Sequence, residues 1–172
     1  MEGWDETTFG ETFEVATGST PPKARKELYG SHIVFVKPPE LLGGDIYESS
    51  DGLSEIGAEQ ARILPVGSVL VSCIGNIGKL GVTRVLATCN QQINAVKPNR
   101  DFASPDFVFY YCQSDRFRSQ LISLASGTTV PIVNKGKFCS IRIPLPPLPE
   151  QERIVAILDE AFAAIATATA NA

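Results

Sequence analysis

The chain carries a run of side-chain amides within a stretch that has no acidic residue. Residues 90–94 are Asn-Gln-Gln-Ile-Asn, and no Asp or Glu occurs from Gln60 to Arg100. Side-chain amides can bind adenine bidentately in the major groove of DNA, and they are also common at the polar ends of strands. The run therefore indicates either a nucleic-acid contact or a polar strand end, and the sequence alone leaves both open.

Charge is segregated along the chain. The 172 residues carry a net charge of −4, but residues 1–59 carry −8, residues 60–149 carry +7 and residues 150–172 carry −3. Basic side chains confined to one face can bind a polyanion although the total charge is negative. The same bases could instead be scattered over a solvated surface, and charge alone favours neither arrangement.

The residue types that most enzymes need are scarce. The only histidine is His32, so a Ser-His-Asp or Cys-His site would have to use it, and it precedes a run typical of a strand. Residues 75–81 are rich in glycine but lack the spacing and the Ser or Thr of a phosphate-binding loop. No lysine has an acid two positions before it, and the Asn-Pro-Pro-Tyr motif of DNA methyltransferases is absent. We therefore expect no catalytic residue in this chain.

The cysteines do not predict a metal site. The four of them are separated by 16, 23 and 27 residues, with no Cys-x-x-Cys pair. We expect no bound metal, and thiols that pack as small hydrophobic side chains. No apolar run approaches the ~18 residues of a membrane span, and the acidic start of the chain is unlike a signal peptide. These features predict a cytoplasmic protein with no membrane partner.

The hydrophobic pattern predicts an α+β fold, in which a globular domain with a mixed β-sheet and short helices precedes a long C-terminal helix. Ser104, Pro105 and Asp106 form a typical helix start, and an apolar face continues to Gly127. Residues 8–18 favour a short helical or irregular lead-in. Strands are predicted over residues 33–36, 65–74, 80–86, 88–96 and 138–143.

The end of the chain combines a proline-rich segment with an amphipathic helix. Four prolines within residues 144–149 predict a stiff spacer that is neither helix nor central strand. A helix follows from Glu150, and the uncharged residues 166–172 indicate that it belongs to a longer helix. Its apolar stripe predicts pairing as a coiled coil, unless the stripe packs back on its own domain. The stripe consists of Ile154, Ile157, Leu158, Ala161, Phe162 and Ile165.

Five motifs occur here in the order in which one family has them. The junction Pro-Pro-Leu-Pro-Glu-Gln at residues 146–151 resembles the junction that precedes the conserved helix in DNA specificity subunits of Type I restriction–modification systems. Four weaker elements come before it, so the resemblance covers nearly the whole chain. They are Thr-Gly-Ser-Thr-Pro (17–21), Gly-Ser-Val-Leu (67–70) with Gly-Asn-Ile-Gly (75–78), Asn-Gln-Gln (90–92) and Ala-Ser-Gly-Thr-Thr-Val-Pro (125–131).

The resemblance implies a target recognition domain over residues 1–143, a proline-rich junction over 144–149 and the start of a conserved spacer helix over 150–172. A full specificity subunit has two such domains and two helices that pair antiparallel, so this chain corresponds to half a subunit. Each domain would recognise one half of a split site on double-stranded DNA. Methyltransferase (modification) subunits would dock on the helices, and endonuclease subunits would join through the complex.

The resemblance also implies that AdoMet, ATP and Mg²⁺ are held by partner subunits and that this chain needs no cofactor. Whether two copies form a homodimer through the C-terminal helix is left open. In a binding mechanism, basic side chains contact phosphates while amides and hydroxyls contact base edges. The candidate DNA-binding residues are Lys23, Arg25, Lys26, Lys79, Arg84, Gln91, Gln92, Thr128, Thr129 and Lys135.

Two other functions fit the same sequence. The chain could be the recognition-domain fragment of a fused restriction/methyltransferase enzyme, and binding of AdoMet by the isolated chain would favour that function. It could also be a subunit-interaction scaffold that binds no DNA of its own. Undetectable DNA binding at low salt would favour the scaffold.

Overall fold

A computed structural model describes residues 4–170. Over these residues the chain forms ten strands in three sheets and six α-helices. The strands are β1 (Asp5–Thr8), β2 (Val15–Thr17), β3 (Tyr29–Val36), β4 (Asp45–Ile46), β5 (Gly52–Leu53), β6 (Val69–Ser72), β7 (Leu80–Thr83), β8 (Ala87–Cys89), β9 (Ile93–Val96) and β10 (Arg142–Leu145). The helices are α1 (Phe9–Thr12), α2 (Glu55–Glu59), α3 (Pro105–Gln113), α4 (Asp115–Ser123), α5 (Lys135–Cys139) and α6 (Leu148–Ala170).

The largest sheet has five strands in the order β2-β9-β6-β7-β4, antiparallel except where β4 meets β7. Successive residues of the central strand β6 point to opposite faces. Val69 and Val71 pack with the helices, whereas Leu70 packs with residues of the three-stranded sheet β5-β3-β8. Both faces are therefore covered, and β6, β7 and β9 are wholly buried. The mixed sheets, short helices and long C-terminal helix confirm the predicted α+β class.

Phe9 lies at the centre of the helical side of the core. It is the first residue of α1, and the Thr8 side chain caps that helix by accepting the Glu11 N–H at 3.3 Å. The short helical or irregular lead-in predicted over residues 8–18 includes α1 but is wrong for β2, which follows it and pairs with β9. The Phe9 ring lies 5.5–6.2 Å, centroid to centroid, from the rings of Phe13, Tyr111, Phe117 and Phe138.

The helix predicted from Ser104 to Gly127 is in fact two helices. The start is as predicted, with the Ser104 hydroxyl accepting the Phe107 N–H at 3.1 Å. Ser114 interrupts the helix with an extended backbone, and its hydroxyl accepts the Phe117 N–H at 3.2 Å. One serine therefore ends α3 and caps α4, and the resulting bend allows Phe107 and Phe117 to reach the same hydrophobic core.

The strand predicted over residues 138–143 begins only at Arg142. Asn134 caps α5 by accepting the Lys137 N–H at 2.9 Å, and the helix carries Phe138 into the aromatic core. The local cap decides the conformation here, although the residues that follow it favour a strand. β6 and β7 lie within the predicted strands over 65–74 and 80–86, and both are shorter than expected.

The proline-rich junction is shorter than predicted. Pro144 and Leu145 belong to β10, which pairs only with β1 among the described strands, so no second neighbour needs the missing proline N–H. α6 begins at Leu148, with Pro149 in its first turn, where proline is tolerated. α6 has 23 residues, yet no helix within residues 4–170 is long and apolar enough to cross a membrane.

Gln151 anchors α6 to the domain. Its side chain is fully buried and donates to the carbonyl oxygens of Phe102 and Pro146, both at 2.8 Å. The same amide accepts the backbone N–H of Ser104 at 3.0 Å. Because Ser104 is the N-cap of α3, one glutamine joins the starts of α3 and α6. The glutamine of the junction motif thus contributes directly to the fold.

The Gln151→Ala variant tests this anchor. It leaves one buried and two partly buried backbone groups without their partner, so we expect the free energy of unfolding to fall by about 2–4 kcal/mol. Urea unfolding followed by circular dichroism measures the change. Glu152→Ala, on the exposed neighbour, should stay within about 0.5 kcal/mol of the wild type. Equal unfolding midpoints for the two variants would contradict the anchoring role.

Candidate nucleic-acid interface

Three sequence motifs leave the same edge of the five-stranded sheet. β2 ends, β9 begins, and β6 and β7 are joined at this edge, because neighbouring strands in the order β2-β9-β6-β7 are antiparallel. A fourth motif reaches them through backbone hydrogen bonds. We call these segments the motif loops: the TGSTP loop (17–21), the GNIG turn (75–78), the NQQ turn (90–92) and the GTTVP loop (127–131).

The TGSTP loop and the NQQ turn are in direct contact. The Thr20 hydroxyl donates to Gln91 Oε1 at 2.6 Å, and the Ser19 N–H donates to the Cys89 carbonyl oxygen at 2.9 Å. Gly18 permits the approach, because a Cβ at this position would overlap the carbonyl oxygens of Cys89 and Asn90. Arg62 adds a further link by donating to the Thr17 carbonyl oxygen.

Cys73 connects the other motif loops. Its N–H donates to the Gln92 carbonyl oxygen at 2.7 Å, and its carbonyl oxygen accepts the Val133 N–H at 2.9 Å. Two residues further on, the Gly75 N–H donates to the Pro131 carbonyl oxygen at 3.0 Å. The GNIG turn, the NQQ turn and the GTTVP loop therefore form one continuous surface beside the TGSTP loop.

The amide run divides into buried and accessible side chains. The strand predicted over residues 88–96 is interrupted at the NQQ turn, so the run begins in a turn. Asn90 and Asn94 are buried, and Asn94 accepts the Thr17 hydroxyl at 2.7 Å. Gln91 is exposed and Gln92 is half-buried. Both glutamines of the predicted site therefore lie in the turn at the sheet edge, and the two asparagines support the loops.

Thr128 and Thr129 are exposed at the tip of the GTTVP loop. Reciprocal backbone hydrogen bonds of 2.9 and 2.8 Å between Ser126 and Ile132 close the base of this loop. Gly127 has φ +101°, a left-handed conformation that glycine adopts without strain. The threonine hydroxyls are thus presented to solvent from a closed loop beside the NQQ turn.

Four of the predicted lysines have no ion-pair partner within residues 4–170. Lys23 and Lys26 line a cavity of about 500 Å³ with Thr20, which joins them to the motif loops. Lys79 directly follows the GNIG turn, and Lys135 begins α5 shortly after the GTTVP loop. Among the described residues, no carboxylate lies within ion-pair distance of these four side chains.

The two predicted arginines are paired. Arg25 Nε lies 2.7 Å from Glu27 Oε1, and both side chains are half-exposed. Arg84 lies between two carboxylates, 2.9 Å from Asp45 Oδ1 and 2.6 Å from Asp106 Oδ1. It lines a cavity formed with residues of α3 and α6, and the described contacts do not bring it together with the motif loops. A DNA contact by Arg84 stays a prediction, and these ion pairs compete with it.

The predicted pairing stripe of α6 divides into two faces. Ile154, Leu158 and Phe162 face the domain: Ile154 packs against the core, Leu158 lines a groove with residues of α3, and the Phe162 ring stacks on Tyr110 at 5.7 Å. Asp159 accepts the Tyr110 hydroxyl in the same region. The other three residues are exposed and leave an apolar face open. They are Ile157, Ala161 and Ile165.

The three buried cysteines lack the features of reactive thiols. Burial raises the pKa of Cys73 and Cys89 to about 12, and it raises the pKa of Cys112 well above the ordinary value. Such thiols stay protonated and pack as small hydrophobic side chains. Within residues 4–170, no three His, Cys, Asp or Glu side chains are grouped so that they could hold a metal ion. His32 is exposed on β3.

Sequence reasoning did not predict the supporting role of several residues that hold the candidate interface. The motif loops are held by side-chain hydrogen bonds of Asn90, Asn94 and Arg62. Cys73 joins three segments through its backbone. A local signal for this role existed at Asn90, because an asparagine side chain often accepts the backbone N–H two residues on in an Asx turn. The remaining contacts join residues that are distant in sequence, and no local sequence pattern predicts them.

The whole chain, residues 1–172, matches the family described as "Type I restriction modification DNA specificity domain". It is 32% identical over 148 residues to the HindI specificity subunit of Haemophilus influenzae, covering 84% of this chain and 32% of that protein. It is 26% identical over 160 residues to the MjaIX specificity subunit of Methanocaldococcus jannaschii, covering 90% of this chain and 37% of that protein. The chain thus spans about a third of the length of these relatives.

Solved structures share the fold. The HsdS subunit from Thermoanaerobacter tengcongensis superposes with a TM-score of 0.74 at 23% identity, covering 97% of this chain and 39% of that one. A chain from a structure of the assembly of a type I R-M system gives the same TM-score at 22% identity, covering 97% and 40%. The fold is therefore that of one segment of these longer proteins.

The close approach at Gly18 yields a prediction. Gly18→Ala places a methyl group against two carbonyl oxygens, so the TGSTP loop must shift away from the NQQ turn. We expect a loss of about 1–3 kcal/mol in the free energy of unfolding, measured by urea unfolding. Gly44→Ala is the matched control, because nothing lies within 4 Å of a Cβ at Gly44. A Gly18 variant as stable as the Gly44 variant would show that the two loops are not packed as described.

Proposed function

Because this chain belongs to the family of Type I restriction modification DNA specificity domains, we propose that it binds double-stranded DNA sequence-specifically and recognises one half of a bipartite target. It acts as a specificity subunit of a Type I restriction–modification complex and has no catalytic activity of its own. The observation that carries the proposal is the convergence of four motif loops at one sheet edge, together with four lysines that have no carboxylate partner within residues 4–170.

The chemistry of this surface supports a division of tasks. Lys23, Lys26, Lys79 and Lys135 contact phosphates, which positions the domain on the duplex without reading sequence. The accessible polar side chains of the motif loops then contact base edges in a groove. These side chains are Gln91, Gln92, Thr128 and Thr129.

The exposed face of α6 serves assembly. Ile157, Ala161 and Ile165 recur at intervals of four residues, which suits pairing with another helix. Methyltransferase (modification) subunits dock along this helix, endonuclease subunits join through the complex, and AdoMet, ATP and Mg²⁺ stay on the partner subunits. Two copies paired through the same face would form a homodimer that favours a symmetric split target, since two-fold protein symmetry matches palindromic DNA.

Selection from a randomised duplex library tests the proposal. The 172-residue chain should enrich a short sequence motif, and with four phosphate contacts its affinity should fall about a hundredfold between ~50 and ~200 mM salt. The solution mass is measured in parallel, and a symmetric split motif from a dimer would support the homodimer. Absence of any enriched motif at low salt would contradict DNA recognition by this chain and favour the interaction scaffold.

The lysine contacts have a separate test. The double variant Lys79→Ala/Lys135→Ala should weaken binding to all sequences and reduce the salt slope, log Kd against log[salt], by about 1.8. Anisotropy titrations at several salt concentrations measure it. Lys97→Ala is the control, because Lys97 follows β9 at the opposite sheet edge and binds Glu14 at 2.6 Å. A double variant with the same slope as the control would remove both lysines from the interface.

A further inference from the structure

The NQQ turn contains a closed pair of hydrogen bonds between Asn90 and Gln92. The Gln92 backbone N–H donates to Asn90 Oδ1 at 3.0 Å. Asn90 Nδ2 in turn donates to Gln92 Oε1, also at 3.0 Å. Asn90 is buried, with 7% of its surface exposed, whereas Gln92 is half-buried at the motif surface.

These two bonds fix the orientation of both side-chain amides. A backbone N–H can only donate, so the Asn90 atom that faces it must be the oxygen. The nitrogen of Asn90 therefore faces Gln92, and because that nitrogen can only donate, Gln92 must meet it with Oε1. The Nε2 group of Gln92 is left to point away from Asn90 as a hydrogen-bond donor.

Gln91 also engages its carbonyl oxygen within the protein. Its Oε1 accepts the Thr20 hydroxyl at 2.6 Å, which leaves its Nε2 group available. The two adjacent glutamines thus both use the carbonyl oxygen inside the protein. A bidentate contact with adenine needs the oxygen and the nitrogen of one amide directed at the same base, and this arrangement opposes it.

We propose that Asn90 is a positioning residue that makes Gln92 a hydrogen-bond donor toward DNA, so that the NQQ turn selects a base that presents an acceptor and no amino donor in the major groove. Guanine, with O6 and N7, and thymine, with O4, fit this requirement. The inference rests on the proposed function for its ligand. The orientation of the amide rests only on the two hydrogen bonds within the turn.

Two substitutions should reverse the hydrogen-bonding character by different routes. Asn90→Asp replaces the donor that faces Gln92 with an acceptor, so the Gln92 amide turns over and presents Oε1. Gln92→Glu keeps the bond from Asn90 Nδ2 and presents a carboxylate oxygen. In library selection, both variants should lose about tenfold in preference for guanine or thymine at one position and gain preference there for cytosine or adenine, which carry amino donors.

Gln113→Glu is the control for added charge, because Gln113 is exposed on α3 and lines the cavity that contains Arg84. It should leave the selected motif unchanged. If the wild type selects a defined motif and both Asn90→Asp and Gln92→Glu retain that motif at every position, the inference is overturned while the proposed function stands. Absence of sequence-specific binding by the wild type would remove the proposed function and the base preference together.

A second measurement tests the amide orientation without DNA. Nuclear magnetic resonance of the side-chain amides should show the Gln92 NH2 exchanging rapidly with solvent in the wild type. In Asn90→Asp, this group bonds to the new carboxylate, so its exchange should slow severalfold. A Gln92 NH2 that is already protected in the wild type, or that exchanges equally in both proteins, would overturn the positioning role of Asn90.

Discussion

The candidate interface depends on the hydrogen bonds that the backbone N–H and carbonyl groups of Cys73 make. This residue lies just beyond the end of β6, and it is 2% exposed, so water cannot replace a missing partner. Its N–H donates to the Gln92 carbonyl oxygen at 2.7 Å, and its carbonyl oxygen accepts the Val133 N–H at 2.9 Å. Together with the bond from the Gly75 N–H to the Pro131 carbonyl oxygen, these two bonds bring the GNIG turn, the NQQ turn and the GTTVP loop together. Burial keeps the Cys73 thiol protonated, so the residue contributes packing and backbone bonds and no reactivity.

In the folded chain, acidic and basic side chains from different segments of the sequence form ion pairs, but not at every surface. Acids of the first segment pair with bases of the middle segment: Glu6 with Arg116 and Arg142, Glu14 with Lys97, and Asp45 with Arg84. These bases lie on α4, on β10, just after β7 and at the opposite sheet edge. The lysines beside the motif loops have no such partner within residues 4–170, so a chain of net charge −4 keeps positive charge at the surface where a polyanion would bind.

Sequence reasoning identified the motifs but not how they meet. The motif order, the Ser104 cap and the long helix are local signals, and each was recognisable. The link between Thr20 and Gln91 joins residues 71 positions apart, and no periodicity encodes such a contact. The errors have the same origin. Ser114 and Asn134 are small polar residues whose side chains decide where helices begin, and hydrophobic pattern gives such residues little weight.

The two faces of α6 show the same limit of sequence reasoning, here in how a helix packs. Ile154, Leu158 and Phe162 repeat every four residues, and so do the exposed Ile157, Ala161 and Ile165, three positions further on. Periodicity joins both sets into one broad stripe and cannot assign their partners. Docking of the first set, through Gln151 and the stacked Tyr110, fixes the rotation of the helix about its axis and therefore the direction of the second. The domain thus determines which way the exposed apolar face of its own C-terminal helix points.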